Sequence, residues 1–265
     1  MTTVVITGSA SGMGAALRTR LESHGTTVIG VDRPGTGAGA GAEVEADLSS
    51  PDGRAHMADR VTELSGGAID GLVAGAGIQS MDGALAGPIL RVNYFGAVAT
   101  LELLRPLLAN GTDPSAVAIC SNSATTMAGY PAELADLLLS GDEDAAVAAI
   151  GSDALNAYPV SKLALGRWVR RQSTTADWIG NGIRLNAVAP GFVDTKMTAG
   201  MWDFVASLGE TYPIPIGRPG MAHELAALME FLLSPDAGFM VGSFITCDGG
   251  TEAAVQADAW PAPLP

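Results

Sequence analysis

The sequence predicts an α/β domain built on a doubly wound parallel sheet of Rossmann type. Three features predict it: short, continuously apolar runs, helix-patterned stretches between them, and a glycine-rich turn directly after the first run. Apolar runs without polar alternation suit strands covered on both faces. Alternation with helices supplies the long crossovers that parallel strands require.

Val4–Ile6 is the first strand, ending at Thr7-Gly8, and Gly14–Ser23 reads as a helix with Leu17 and Leu21 on one face. Val28–Val31 is the second strand and ends at Asp32. The Gly/Pro-rich link Pro34–Gly41 then replaces a helix. Val44–Ala46 reads as a short strand, Pro51–Leu64 as a helix, and Gly71–Val73 as a strand running into a glycine cluster. Pro88–Leu108 has the pattern of a long amphipathic helix, and Ala116–Cys120 that of a buried strand. Helical spacing over Tyr158–Trp178 is followed by a strand at Ile183–Val188, a helix at Glu224–Leu233 and a last strand at Phe244–Cys247.

Two segments break the alternation. Residues 131–157 read as a helical insertion, with a stop at Gly141 and a restart near Asp142. Residues 196–212 read as a lid over a substrate. No repeat and no linker divides the chain, so residues 1–265 are expected to form one domain.

Composition excludes several function classes. Fourteen basic residues against 28 acidic ones give a formal net charge of −14, which repels phosphate backbones and argues against nucleic acid as a partner. No charge-free run reaches the roughly 18–20 residues that a membrane span needs. The N-terminal stretch lacks basic residues before an apolar run, so a cytoplasmic protein is expected. Cys120 and Cys247 lie far apart in apolar stretches and read as small buried thiols. His24, His56 and His223 are isolated, and no metal site is expected.

The turn Thr7-Gly8-Ser9-Ala10-Ser11-Gly12-Met13-Gly14 suits a pyrophosphate. Glycines allow close backbone approach, and the helix N-terminus that follows stabilises the negative charge. Asp32, 18 residues beyond Gly14, can accept hydrogen bonds from ribose hydroxyls and repel a 2′-phosphate, which favours NAD. Arg33 beside it could instead pair with that phosphate. Asp47-Leu48 follows the third strand, where Asp47 can meet an adenine amino group.

Tyr158-Pro159-Val160-Ser161-Lys162 sets Tyr and Lys at i and i+4 on one helix face. A free phenol, with a pKa of roughly 10, is a poor base at neutral pH. A neighbouring ammonium and an oxidised nicotinamide would both favour its phenolate.

These motifs, together with Ala74-Gly75-Ala76-Gly77, Asn93, Ser121, Pro190-Gly191 with Thr195, and Asp248-Gly249-Gly250, occur in one order along nearly the whole chain. In that order the sequence resembles the short-chain dehydrogenase/reductase family. The resemblance implies an NAD-dependent enzyme acting on CH–OH groups. Tyr158 would be the acid/base at the reacting oxygen, and Ser121 its hydrogen-bonding partner. Lys162 would hold the nicotinamide ribose and tune Tyr158, while Asn93 would position a water in a relay to Lys162. The stretch Pro190, Gly191, Val193 and Thr195 would hold the carboxamide, and Gly75, Ala76 and Gly77 would line the cofactor path. Ser123 lies close to Ser121 and is the alternative hydroxyl, though Ile119-Cys120-Ser121 matches the family's register. Where the family often has Asn-Asn-Ala-Gly, this chain has Ala74-Gly75-Ala76-Gly77, which puts the local hydrogen bonding in question.

Three further features resemble the family's branch of bacterial 3α-hydroxysteroid dehydrogenase/carbonyl reductases and coniferyl-alcohol dehydrogenase-like members. They are the abbreviated Pro34–Gly41 link, the run Val92-Asn93-Tyr94-Phe95-Gly96-Ala97, and the 37 positions from Ser121 to Tyr158 (158 − 121). That branch implies a homo-oligomer, dimer or tetramer, with the inserted helices in the contact. Leu134, Leu137, Leu138 and Leu139 would supply an apolar face there, or would pack on their own domain. In the lid, Met197, Met201 and Trp202, with Phe204, Val205 and Leu208, suit a hydrophobic alcohol or ketone of steroid or aromatic type. An epimerase or dehydratase using the same site, and a non-catalytic NAD-binding protein, are the alternatives.

Overall fold

Seven parallel strands form the sheet in the order β3-β2-β1-β4-β5-β6-β9, in a computed structural model that describes residues 2–36, 41–127 and 132–259. β1 (Thr3–Thr7) leads through α1 (Gly12–Ser23) to β2 (Thr27–Asp32), then to β3 (Val44–Glu45), α2 (Pro51–Ser65) and β4 (Gly71–Ala74). The order reverses beside β1, whose neighbours are β2 and β4. A crevice at the carboxyl ends of β1 and β4 is the ligand position that such a reversal creates.

Next comes one long helical stretch in which α3 (Ala86–Leu90) passes through a π-helical turn, Arg91–Gly96, into α4 (Ala97–Ala109). Gly83–Ala109 is long and apolar enough to cross a membrane by length and composition. Its buried side, with Ile89, Leu90, Leu101, Leu104 and Leu108, packs into the domain core instead. β5 (Ser115–Ile119) and α5 (Ser123–Thr126) precede the insertion, which forms α6 (Ala132–Ser140) and α7 (Glu143–Ile150) with the expected break at Gly141.

α8 runs from Ala154 to Gln172, capped by Asp153, whose carboxylate accepts the Asn156 N–H at 3.1 Å. It therefore begins four residues before Tyr158 and stops six short of the expected Trp178. Trp178 is apolar because it is buried edge-on against Trp168, with ring centroids 6.0 Å apart, and not because it continues the helix. β6 (Arg184–Pro190) follows, then β7 (Val193–Asp194), α9 (Trp202–Ser207), β8 (Gly220–Met221), α10 (Ala222–Leu233), edge strand β9 (Phe244–Cys247) and α11 (Thr251–Val255). β7 and β8 form a separate two-stranded parallel pair that closes the base of the lid.

The insertion packs on its own domain. Leu134 and Leu138 are buried in the main core, and Leu137 and Leu139 lie against it. A buried guanidinium also ties it down. Arg54 on α2 donates to both carboxylate oxygens of Glu143 on α7 at 2.6 and 3.2 Å, and to the backbone carbonyls of Leu48 (2.8 Å) and Arg91 (3.0 Å). One side chain thus joins the β3–α2 loop, the π-turn and the inserted helices. A buried charge persists in such a place only when it is hydrogen-bonded and paired.

Candidate active site

The glycine-rich turn is shaped by close approach. Gly8 has φ +76°, and a Cβ at Gly14 would sit 2.1 Å from the Gly8 carbonyl oxygen, so the helix can start only against a bare backbone. Ser11 occupies the N-cap of α1 in an extended conformation without a side-chain cap, and the first turn holds no acidic residue. The first amides of α1 therefore lack an intrahelical acceptor, the arrangement that receives a phosphate.

This turn opens into a cleft of about 850 Å³ that is also lined by Asp32, Arg33, Asp47, Leu48, Gly75, Ala76, Gly77, Thr195 and Met197. Gly8, Ser11, Gly12, Met13 and Gly14 line it as expected. Asp32 Oδ2 accepts the Ala10 N–H at 3.0 Å and Oδ1 accepts the Arg33 N–H at 2.8 Å, which fixes the carboxylate at the mouth while leaving it further lone pairs. Asp47 accepts from the Ser49 amide (3.0 Å) and hydroxyl (2.6 Å), and these bonds hold its carboxyl below the usual carboxylate range. The cradle, the unclaimed amides and the carboxylate at the end of β2 fit a dinucleotide.

Thr7 answers the question raised by Ala74-Gly75-Ala76-Gly77. Its buried hydroxyl accepts the amides of Gly75 (3.0 Å) and Ala76 (3.2 Å), bridging the ends of β1 and β4 without side-chain amides. A hydroxyl ending an apolar strand was the signal available in the sequence.

At the carboxyl end of β5 the catalytic candidates converge. Lys162 is buried, and its Nζ donates to the Ile119 carbonyl at 2.8 Å while standing 5.8 Å from the centre of the Tyr158 ring. Burial lowers the Lys162 ammonium to about 8. Ser121 is buried beside them, and its oxygen accepts the Ser123 amide at 3.2 Å. Burial raises the Tyr158 phenol above its ordinary value, hydrogen bonding with Ser121 draws it back, and Cys120 and Tyr212 raise it further. In the protein alone burial therefore outweighs the neighbouring ammonium and holds the phenol above its ordinary value, while Lys162 uses one of its N–H groups on Ile119.

Asn93, fully buried in the π-turn, clasps Ile78. Its Oδ1 accepts the Ile78 amide at 2.8 Å and its Nδ2 donates to the Ile78 carbonyl at 2.9 Å. A Cβ at Gly77 would lie 3.3 Å from Asn93 Oδ1 and 3.6 Å from Lys162 Nζ, so all three residues meet on one side of the cleft. The clasp uses one lone pair of Oδ1 and one N–H of Nδ2, and it fixes the Asn93 amide beside Gly77 and Lys162.

Pro190 and Gly191 close the end of β6 beside Asp248. The Val193 side chain points into the second core cluster, so it offers a ligand only its backbone. Of the expected substrate residues, Met197 lines the cleft. Met201 is exposed, and Trp202 packs on Phe192 with ring centroids 5.9 Å apart. Ser123 Oγ is buried and has no hydrogen-bond partner among the described residues. Asn122, Tyr212 and Arg54 were not expected at or near the site. Each acts through contacts between positions distant in sequence.

Comparison with known proteins decides the family. A model described as short chain dehydrogenase matches residues 2–132, and one described as Enoyl-(Acyl carrier protein) reductase matches residues 144–252. The chain is 38% identical over 264 residues to a 3-alpha-hydroxysteroid dehydrogenase/carbonyl reductase of Comamonas testosteroni, covering 97% of this chain and 98% of that protein. The chain belongs to the short-chain dehydrogenase/reductase family. It is an enzyme of that family acting on CH–OH groups. It is also 31% identical over 260 residues to a coniferyl-alcohol dehydrogenase of Pseudomonas sp. strain HR199, covering 93% and 95% of the two chains. Among solved structures, the 3-alpha-hydroxysteroid dehydrogenase from Pseudomonas sp. B-0831 complexed with NADH matches with a TM-score of 0.87 at 38% identity, covering 98% of this chain and all of that one.

Proposed function

We propose that this short-chain dehydrogenase/reductase is a cytoplasmic, homo-oligomeric NAD(H)-dependent enzyme. It interconverts a hydrophobic secondary alcohol, of the steroid or aromatic/cyclic class, with its ketone. The observation that carries the reading is the convergence of Ser121, Tyr158 and Lys162 at the end of β5, beside a dinucleotide-shaped cleft with Asp32 at its mouth. NAD(H), when bound, supplies the hydride acceptor or donor.

The protein's own residues handle the proton and the geometry. The Tyr158 phenol protonates the carbonyl oxygen during reduction and takes the hydroxyl proton during oxidation. Ser121 hydrogen-bonds the same oxygen and holds it against the phenol. Burial keeps the phenol protonated in the free enzyme, which readies it as the acid for reduction. For oxidation the phenolate is the proton acceptor, and the Lys162 ammonium 5.8 Å from the ring centre is the positive charge the chain itself places beside it. The Asp32 carboxylate accepts from ribose hydroxyls and repels a 2′-phosphate, which favours NAD, and exposed Arg33 in the same cleft is the one neighbour that could pair with that phosphate. The apolar lid side chains Met197, Met201 and Phe204 favour a hydrophobic substrate.

Steady-state rates with NAD and with NADP, over steroid, terpenoid and aromatic alcohols and their ketones, test this reading. Turnover of one class with NAD preferred is expected, and Asp32→Ala should narrow that preference by about tenfold, the scale of one charge-assisted hydrogen bond. NADP preferred by the wild type, or silence across the panel, would overturn the reading.

A further inference from the structure

The lid rejoins the domain at Tyr212, and there it is tied to the catalytic turn. The Tyr212 hydroxyl donates to Asn122 Oδ1 at 3.1 Å, across 90 positions of sequence. Asn122 stands between Ser121 and Ser123. Its Nδ2 donates to Asp248 Oδ2 at 3.0 Å, and its backbone N–H donates to the Pro190 carbonyl at 2.9 Å. Asp248 also accepts the amides of Gly250 (3.0 Å) and Glu252 (2.8 Å). Gly191 lies so close that a Cβ there would come within 2.5 Å of Asp248 Cβ. Asn122, through its side-chain amide and its backbone N–H, thus joins the lid exit, the Ser121 turn, the Pro190-Gly191 turn and the start of α11.

The rest of the lid has little to hold it. Between residues 196 and 211 Val205 is the one buried side chain, while Met197, Met201 and Phe204 are 46%, 37% and 62% exposed. At the other end Thr198 Oγ1 donates to the Val193 carbonyl at 2.5 Å and accepts the Thr195 amide at 3.0 Å. The lid is therefore pinned at its two ends, and its carboxyl-terminal pin bears directly on the residue next to Ser121. Tyr212 also lies near enough to Tyr158 to influence its phenol.

We propose that Tyr212 is the latch of the substrate lid. Its hydroxyl, acting through Asn122, holds the lid's carboxyl end on the Ser121 turn and so sets how closely the apolar lid covers the reacting oxygen. Tyr212 is a positioning and specificity-determining residue. It needs no proton transfer of its own, because its hydroxyl is committed as a donor to Asn122. The inference rests on the functional reading above for the substrate, but the latch itself is a property of the lid.

Tyr212→Phe removes the hydroxyl and keeps the ring. In the full-length enzyme, hydrogen–deuterium exchange of residues 198–211 should accelerate about three- to tenfold, the scale of one lost hydrogen bond, while α8 and β5 exchange as in the wild type. With a substrate identified, KM for the alcohol should rise by a similar factor while kcat and NADH affinity stay within about twofold. Unchanged exchange in the lid would overturn the proposal. So would a fall in kcat with a displaced pH profile and a normal KM, since that would put Tyr212 in the proton chemistry. A wild-type enzyme that turned over nothing in the panel would defeat the functional reading, and the exchange comparison would still decide the latch.

Discussion

The cofactor side and the lid side of this cleft are held in place differently. On the cofactor side, backbone positions are fixed by hydrogen bonds from buried side chains: Thr7 on Gly75 and Ala76, Asn93 on Ile78, Lys162 on Ile119, Arg54 on Leu48, Arg91 and Glu143. On the lid side, residues 196–211 expose three large apolar side chains and bury only Val205. A dinucleotide keeps the same framework in both its oxidised and reduced forms, so a preorganised cradle suits it. A bulky substrate must enter and leave, and a lightly held apolar segment pinned at its ends allows that. The two sides meet at the Ser121 turn, where the Ser121 hydroxyl stands just beyond the end of β5 and its neighbour Asn122 receives the lid.

The largest effect that would sharpen this contrast is at the chemistry. Tyr158→Phe should lower kcat/KM by at least about 10³-fold, within the range of general acid–base catalysis, with NADH affinity unchanged within about twofold. A parallel loss of NADH binding would mean that Tyr158 belongs to the cradle and not to the reaction. The next effect is on stability. Arg54→Met should cost about 2 kcal/mol in urea unfolding, because it leaves the buried Leu48 and Arg91 carbonyls without their donor and removes the tie between three segments, while Glu143 keeps Arg91 at 3.3 Å. Phe204→Ser, on the lid, should stay within about 0.5 kcal/mol. Equal costs for the two would erase the distinction drawn between the two sides.

The smallest effect is a pH dependence. Burial holds Lys162 at about 8 against its ordinary 10.5, so between those values the unfolded chain binds more protons than the native one. Stability attributable to Lys162 therefore rises with pH across that window and is flat below it. The stability difference between wild type and Lys162→Met should grow in favour of wild type by about 1 kcal/mol from pH 8 to pH 9. A flat difference would show that Lys162 is solvated and not buried in the rigid half.

Much of the rigid half was legible in the sequence, because its signals are local. The Gly8–Gly14 turn, Asp32 at a strand end and the Tyr158/Lys162 spacing each lie within one element or one junction. Local patterns also placed the strands and the break at Gly141. What could not be read were ties between distant positions: Thr7 with Gly75, Arg54 with Glu143, Tyr212 with Asn122. The overlong estimate for α8 has the same origin. Trp178 carries the hydrophobic signal of a buried residue, and periodicity cannot tell a core residue in a turn from one more helical turn. The apolar face of α6 was likewise ambiguous until Leu134 and Leu138 were seen buried in the chain's own core.

The central claim is that hydride passes between a hydrophobic secondary alcohol and NAD in this cleft. A hydroxysteroid or cyclohexanol-type alcohol deuterated at the carbinol carbon, incubated with the enzyme and NAD, tests it most directly by mass spectrometry of the nicotinamide. One deuterium per NADH formed, with the matching ketone released and both lost in Tyr158→Phe, is the predicted result. Product formed with no deuterium in the NADH pool would contradict the account and point to epimerase or dehydratase chemistry on the same residues.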